Sequence, residues 1–224
     1  MKLTVACVWT GRKYGPEFVQ NLRAGALKHL PGHEFVIFTD KPKENVVAGA
    51  RMVDVRPFEL PGWWAKMAVF DPALRGEGTT IYSDLDNVLV GSLEPLAKVK
   101  KPFAICENFT RAAGNLEWPC VYGSTCMVMN GGFGAAVFRG FMERKAALMA
   151  ACERGGDQEA IEVLVGKDAP ILQRLVPKGF FLGYRDLQNH FESKPKEASI
   201  VVYAGGRSPD TMGPGWARKA WRGK

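Results

Sequence analysis

The N-terminal stretch constrains this chain most, because an apolar run, a helix and a second apolar run follow one another there with little between them. Leu3 to Val8 is unbroken in its apolar character, as a strand covered on both faces must be. Trp9 to Pro16 is a glycine-bearing loop, and Pro16 suits the first turn of a helix. From Glu17 to Leu30, Phe18, Leu22, Ala26 and Leu30 recur at helical spacing. Glu17 comes early and Lys28 and His29 late, as the helix dipole favours. Pro31-Gly32 stops the helix. Phe35 to Phe38 is a second strand, ending in Thr39-Asp40, and Met52 to Val55 a third. This strand–helix–strand rhythm is that of a nucleotide-binding α/β half.

The chemistry concentrates in Ile81-Tyr82-Ser83-Asp84-Leu85-Asp86-Asn87-Val88-Leu89-Val90. Thr79 to Ser83 reads as a strand, and Val88 to Val90 as another. In an extended chain, residues two apart face the same way. Asp84 and Asp86 therefore aim both carboxylates at one point, at the carboxyl end of a central strand, where open α/β sheets bind ligands. Two like charges that close suit a divalent cation, a shared proton, or an acid and a base.

The loop Trp9-Thr10-Gly11-Arg12-Lys13-Tyr14 is a candidate nucleotide pocket, with Tyr14 to stack a base and Arg12 or Lys13 to face phosphate. It matches neither a Gly-x-x-x-x-Gly-Lys-Ser/Thr loop nor a Gly-x-Gly-x-x-Gly fingerprint, which argues against an NTP hydrolase or a nicotinamide enzyme. The net charge of +7 over 224 residues favours anionic partners without choosing among them. Nucleic acid is not expected, since no motif accompanies the charge.

Further along, Trp63 to Phe70 predicts a short helix in which both tryptophans pack. Pro102 to Cys106, Met127 to Met129 and Phe133 to Phe138 predict strands, Phe141 to Glu153 and Asp157 to Val165 helices, and Ile200 to Tyr203 a late strand. The basic tail carries Arg218, Lys219, Arg222 and Lys224 among Trp216 and Trp221. It either touches anionic lipid peripherally or packs on the domain with its charges solvated. The short apolar N-terminus lacks the pattern of a signal peptide, and no segment is long enough to span a membrane. Cys7, Cys106, Cys120, Cys126 and Cys152 match no zinc spacing and predict reduced core thiols in a cytoplasmic protein.

Several blocks together resemble the small bacterial and phage glycosyltransferases related to the glycogenin and lipopolysaccharide-galactosyltransferase family. They are Phe35-Val36-Ile37-Phe38-Thr39-Asp40, the run Leu60-Pro61-Gly62-Trp63-Trp64-Ala65-Lys66 to Phe70, and Ile81 to Asp86. Gly156-Asp157-Gln158-Glu159, Val201 to Pro209 and Pro214-Gly215-Trp216-Ala217-Arg218 follow in family order. The resemblance implies a Rossmann-like α/β type-A glycosyltransferase fold with a mixed, mostly parallel sheet flanked by helices. It spans 1–224 as one domain, with a nucleotide-binding half at 1–106 and an acceptor-side half with the basic tail at 107–224. It implies a nucleotide-sugar donor, usually a UDP-sugar, and Mn²⁺ or Mg²⁺ on Asp84 and Asp86, with Asp84 also on the donor. Thr10, Tyr14, Lys66 and Arg207 would complete the donor site. Asp157 and Gln158 would face the donor sugar and the reacting carbon. Transfer would retain anomeric configuration to a glycan, lipid-linked or protein acceptor. With no evident carboxylate nucleophile, front-face displacement is expected.

Two departures stand out. Ala204 replaces the family's metal-binding His and Ser208 its Lys, with Arg207 adjacent to supply the charge. Gly123-Ser124-Thr125-Cys126 lacks the family's Asn. A weakened metal site, or one completed by water, is expected. The alternatives are a nucleotide-sugar or glycan-binding protein that has lost the chemistry, and a haloacid-dehalogenase-type phosphatase with Asp84 as nucleophile. The second conflicts with the strands that precede Asp84.

Overall fold

The computed structural model describes residues 2–44, 46–112, 114–203 and 207–223, without the side chain of Gln188. Nine strands occur among the described residues: β1 (Leu3–Trp9), β2 (Glu34–Thr39), β3 (Arg51–Asp54), β4 (Thr79–Ser83), β5 (Val88–Leu89), β6 (Phe103–Glu107), β7 (Tyr122–Asn130), β8 (Phe181–Gly183) and β9 (Ile200–Val202). Six form one sheet in the order β3-β2-β1-β4-β7-β6. The pairs β3–β2, β2–β1 and β1–β4 are parallel, and β7 runs antiparallel to both β4 and β6. The sheet is therefore mixed and mostly parallel, as predicted. A second small sheet, β5-β9-β8, lies beyond the turn that follows β4.

The apolar runs are continuous because both faces of the main sheet are covered. Side chains alternate across a strand. Val5, Cys7, Ile37, Ile81, Cys126 and Val128 face one core with Phe18, Val19, Leu22 and Ala26 of α1 (Pro16–His29). Ala6, Val36, Phe38, Tyr82, Met127 and Met129 face the other. That second core is closed by the 3₁₀ helix Gly62–Phe70 and then, after α2 (Pro72–Arg75), α3 (Glu94–Ala97) and α4 (Phe109–Ala112), by α5 (Ala135–Glu143), α6 (Lys145–Ala151) and α7 (Asp157–Val165). The chain ends with α8 (Leu172–Leu175) and α9 (Gly215–Trp221).

Three expectations change. Phe133 to Phe138 is not a strand. Gly134, at φ 103°, brings its backbone so close to the Phe70 carbonyl that any Cβ would collide with it, and α5 starts directly afterwards. Phe133 still packs, stacked on Phe103 at 4.8 Å between ring centroids. The helix predicted from Phe141 to Glu153 is two helices, broken at Arg144. The strand predicted from Met127 to Met129 is the nine-residue β7. Its polar start was not readable as strand, because Ser124 is buried through hydrogen bonds rather than apolar packing.

The tail is structured. Trp221 is buried, its ring 5.2 Å from that of Phe18, and Trp216 Nε1 donates to the His190 carbonyl at 2.8 Å. The tryptophans that a lipid contact would have needed are used within the fold. Among the described residues, no helix is long and apolar enough to cross a membrane. All five cysteines are buried and unpaired.

Candidate active site

Asp84 follows the last residue of β4, in the middle of the main sheet. The two carboxylates are presented by a tight turn rather than by extended chain. Asn87 N donates to the Asp84 carbonyl at 3.3 Å, and Leu85 between them is buried in the core. The outcome matches the expectation from alternation, with Leu85 inward and both Asp side chains on the cleft. The turn is braced by β7. Asp84 N and Asn87 Nδ2 both donate to the Thr125 carbonyl at 2.9 Å, and Thr125 Oγ1 donates to Asn87 Oδ1 at 2.9 Å.

On one side of the pair lies a buried ionic cluster. Lys66, only 6 % exposed, comes from the 3₁₀ helix Gly62–Phe70, most of which is buried. Lys66 Nζ lies 3.0 Å from Asp84 Oδ1 and 3.1 Å from Asp157 Oδ2, and donates to Ser124 Oγ at 2.7 Å. Ser124 Oγ in turn donates to Asp157 Oδ2, and Tyr82 OH donates to Asp84 Oδ1 at 2.6 Å. Burial alone would lower the Lys66 pKa. The charges of Asp157 and Asp84 outweigh it and hold the ammonium well above its usual range. Asp157 is in the first turn of α7, so the helix dipole favours its charge as well. The dipole and the ion pair act on the same carboxylate.

On the other side, Tyr14 OH donates to Asp86 Oδ2 at 2.7 Å, linking the loop after β1 to the turn after β4. The loop is itself tied down. Trp9 Nε1 donates to the Tyr14 carbonyl at 3.0 Å, Gly11 N to Asp40 Oδ2 at 2.9 Å, and Thr10 Oγ1 to the Gly62 carbonyl at 3.2 Å. Among the described residues, no cation forms an ion pair with Asp86, and Lys13 and Lys66 act on it only from a distance. The Asp86 pKa is pushed up to about 6, by burial first and then by the charge of Asp84, against the opposing hydrogen bond from Tyr14.

The Asp pair stands where two cavities meet. The larger, of about 590 Å³, is lined by Thr10, Tyr14, Lys66, Asp84, Asp86, Asp157 and Gln158. The smaller, of about 490 Å³, shares Asp84, Asp86 and Gln158 and adds Arg207, whose guanidinium lies 4.9 Å from the centre of the Tyr184 ring. Thr10, Tyr14, Lys66, Asp84, Asp86, Asp157, Gln158 and Arg207, the site residues expected from sequence, thus each line one cavity or both. Ala204, which stands where the family's His would be, lies outside the described residues. Sequence reasoning missed Asn108, whose Nδ2 donates to Gln158 Oε1 at 2.6 Å, and Trp118, which lines both cavities. Neither stands in a motif. It also misjudged Trp63, which is 60 % exposed on the larger cavity, whereas Trp64 packs as expected at 7 %.

Asp84 and Asp86 are the residues here that could hold a divalent cation. Among the described residues, nothing donates a hydrogen bond to Asp84 Oδ2 or Asp86 Oδ1. No third His, Cys, Asp or Glu joins the pair among the described residues. Two carboxylates could supply part of the oxygen ligand set that Mg²⁺ or Mn²⁺ takes.

No protein-family model and no curated protein sequence matches the chain. Solved structures do. The glycosyltransferase GlyE of Streptococcus pneumoniae TIGR4 superposes with a TM-score of 0.67 at 12 % identity, over 100 % of this chain and 60 % of that one. The galactosyltransferase LgtC, solved with donor and acceptor sugar analogues, gives 0.64 at 11 % identity, over 98 % and 95 % of the two chains. The bifunctional glycosyltransferase WbbM gives 0.56 at 12 % identity, over 93 % of this chain and 46 % of its own. The chain therefore spans about 60 % of GlyE and nearly all of LgtC, and its α/β architecture is the type-A fold of these bacterial glycosyltransferases.

Proposed function

We propose that this protein is a metal-assisted, retaining glycosyltransferase that takes a sugar from a nucleotide-sugar, with UDP as the nucleotide. The observation that carries the reading is the Asp84–Asp86 pair at the junction of two cavities, with the Lys66–Asp157 ion pair beside it. One cavity suits the donor and the other the acceptor, so the bond to be broken lies at the carboxylates. In this reading 1–224 acts as one domain, 1–106 supplying the nucleotide loop and Asp pair, 107–224 most of the acceptor cavity. Five buried thiols without partners suit a cytoplasmic setting.

The leaving group is a nucleoside diphosphate, which gains charge as the sugar C1–O bond breaks. Bound at Asp84 and Asp86, Mn²⁺ or Mg²⁺ would supply Lewis-acid stabilisation of that charge. Thr10 and Tyr14 line the nucleotide end, and Arg207 adds positive charge from the acceptor side. Lys66 holds Asp84 and Asp157 in place. Asp157 Oδ2 is engaged by both Lys66 and Ser124, and the residue is only 4 % exposed, so its carboxylate orients the sugar and is poorly placed as a nucleophile. Gln158 Oε1 accepts from Asn108, which leaves its N–H₂ for the cleft. An amide donor there would stabilise the departing diphosphate oxygen, whose negative charge grows as the C1–O bond breaks, and it forms no covalent intermediate.

Thermal-shift screening of UDP, GDP, CDP and ADP, with and without Mn²⁺, on wild type and Asp86→Ala tests the donor site. A Mn²⁺-dependent rise with UDP, lost in Asp86→Ala, is expected. Silence with every nucleotide would remove the donor site. Binding without sugar-nucleotide hydrolysis would instead identify a binding protein that shares the fold.

A further inference from the structure

The larger cavity has a wall that neither the ionic cluster nor the nucleotide loop explains. Trp63 leaves its indole largely open to solvent inside the cavity, while its neighbour Trp64 is buried. Such a surface, unlike a scattered exposed residue, sits beside charged and polar groups where a ligand would cover it. Gly156, at φ 63°, brings its backbone so near the indole that an added Cβ would lie 2.8 Å from Trp63 Nε1. The adjacent Gly62 carbonyl accepts the Thr10 hydroxyl at 3.2 Å.

Trp63 therefore stands against the residue that precedes Asp157 and Gln158, on the same 3₁₀ helix as Lys66. This part of the cavity joins a flat apolar face to carboxylate, ammonium and amide groups. A pyranose matches that mixture, with one face of C–H groups and a rim of hydroxyls. A nucleobase is also flat, but the aromatic ring on the nucleotide loop is Tyr14, which is fixed to Asp86.

We propose that Trp63 is the stacking platform for the hexopyranose ring of the donor and helps decide which sugar is accepted. The inference rests on the nucleotide-sugar reading above. Because Trp63 is exposed, its truncation leaves the core intact, and the melting temperature of each variant checks this. Calorimetric titration with Mn²⁺ of UDP, UDP-glucose, UDP-galactose and UDP-N-acetylglucosamine compares wild type, Trp63→Ala and Trp63→Tyr. In Trp63→Ala the affinity for UDP should stay within about twofold, while that for the preferred UDP-sugar falls about tenfold, the size of one aromatic contact. Trp63→Tyr should recover most of the loss. Equal weakening of UDP and UDP-sugar would put the indole on the base or diphosphate and overturn the platform, as would no change in either. Failure of wild type to bind any UDP ligand, when the screen above also finds no other base, would overturn the donor reading and the platform with it.

Discussion

The two flanks of the Asp pair are built on opposite principles. Around Asp84, charge is buried and compensated, with Lys66 between two carboxylates and Ser124 and Tyr82 filling hydrogen-bond positions. Around Asp86, compensation is weaker, with one neutral donor from Tyr14, Lys13 and Lys66 acting only from a distance, and a raised pKa. The first flank is a scaffold that should tolerate little. The second stores unfavourable electrostatics that a bound cation would relieve, so it should respond to ligand, metal and pH.

The sharpest test of the scaffold is Lys66→Met. It leaves two carboxylates facing one another without their cation, and the cost of breaking a buried pair is about 3–5 kcal/mol. A loss of that size in chemical denaturation is expected, with activity lost as well. A loss below about 1 kcal/mol would mean that the cluster is not a scaffold.

Asp86→Asn should do the reverse. Removing a buried, unrelieved charge should stabilise the metal-free protein at pH 7.5 by about 2 kcal/mol, taking one pKa unit as about 1.4 kcal/mol and allowing for partial exposure. The same variant should lose the Mn²⁺-dependent thermal shift. A destabilised Asp86→Asn would erase the contrast between the flanks.

The contrast also has a pH signature. The folded pKa of Asp86 lies above its unfolded value. Its contribution to metal-free stability is thus fully present below about pH 4 and lost as pH rises through about 6. Wild type minus Asp86→Asn, followed by denaturation between pH 4 and 8, should show this slope, and saturating Mn²⁺ with nucleotide should flatten it. The smallest expected effect is that of Tyr14→Phe. It removes one hydrogen bond to a charged acceptor, about 1–2 kcal/mol. The titration of Asp86 should move further up in that variant, because the lost bond favoured the ionised form.

What could be read from sequence divides along similar physical lines. β1, α1 and β2 were legible because burial on both sheet faces and a proline-to-Pro31-Gly32 punctuation leave a periodic imprint. Asp84, Asp86, Lys66, Asp157 and Gln158 were legible through the resemblance of their ordered blocks, and the fold brings all five onto one cavity. Asn108, Asn87 and Ser124 were not. Their work is to hold other polar groups through contacts such as Asn108 to Gln158, 50 residues apart, and Ser124 to Lys66, 58 apart, which no local period records. Trp63 and Trp64 illustrate the same limit. Adjacent and identical in type, they part company only because the second core admits one indole and the Gly156 backbone holds the other outside.

The five buried thiols have a practical consequence. Burial raises Cys120 to about 12 and pushes Cys7, Cys106 and Cys152 up too, so these four hold almost no reactive thiolate at neutral pH, and all five are shielded from solvent. A thiol reagent can reach them only when the chain opens. Labelling rate therefore reads the opening equilibrium directly, without an engineered probe, and reads it on both sides of the sheet, since Cys7, Cys106 and Cys126 lie in one core and Cys152 in the other. A ligand that closes the cleft will slow that clock, by a factor that measures its affinity for the native state.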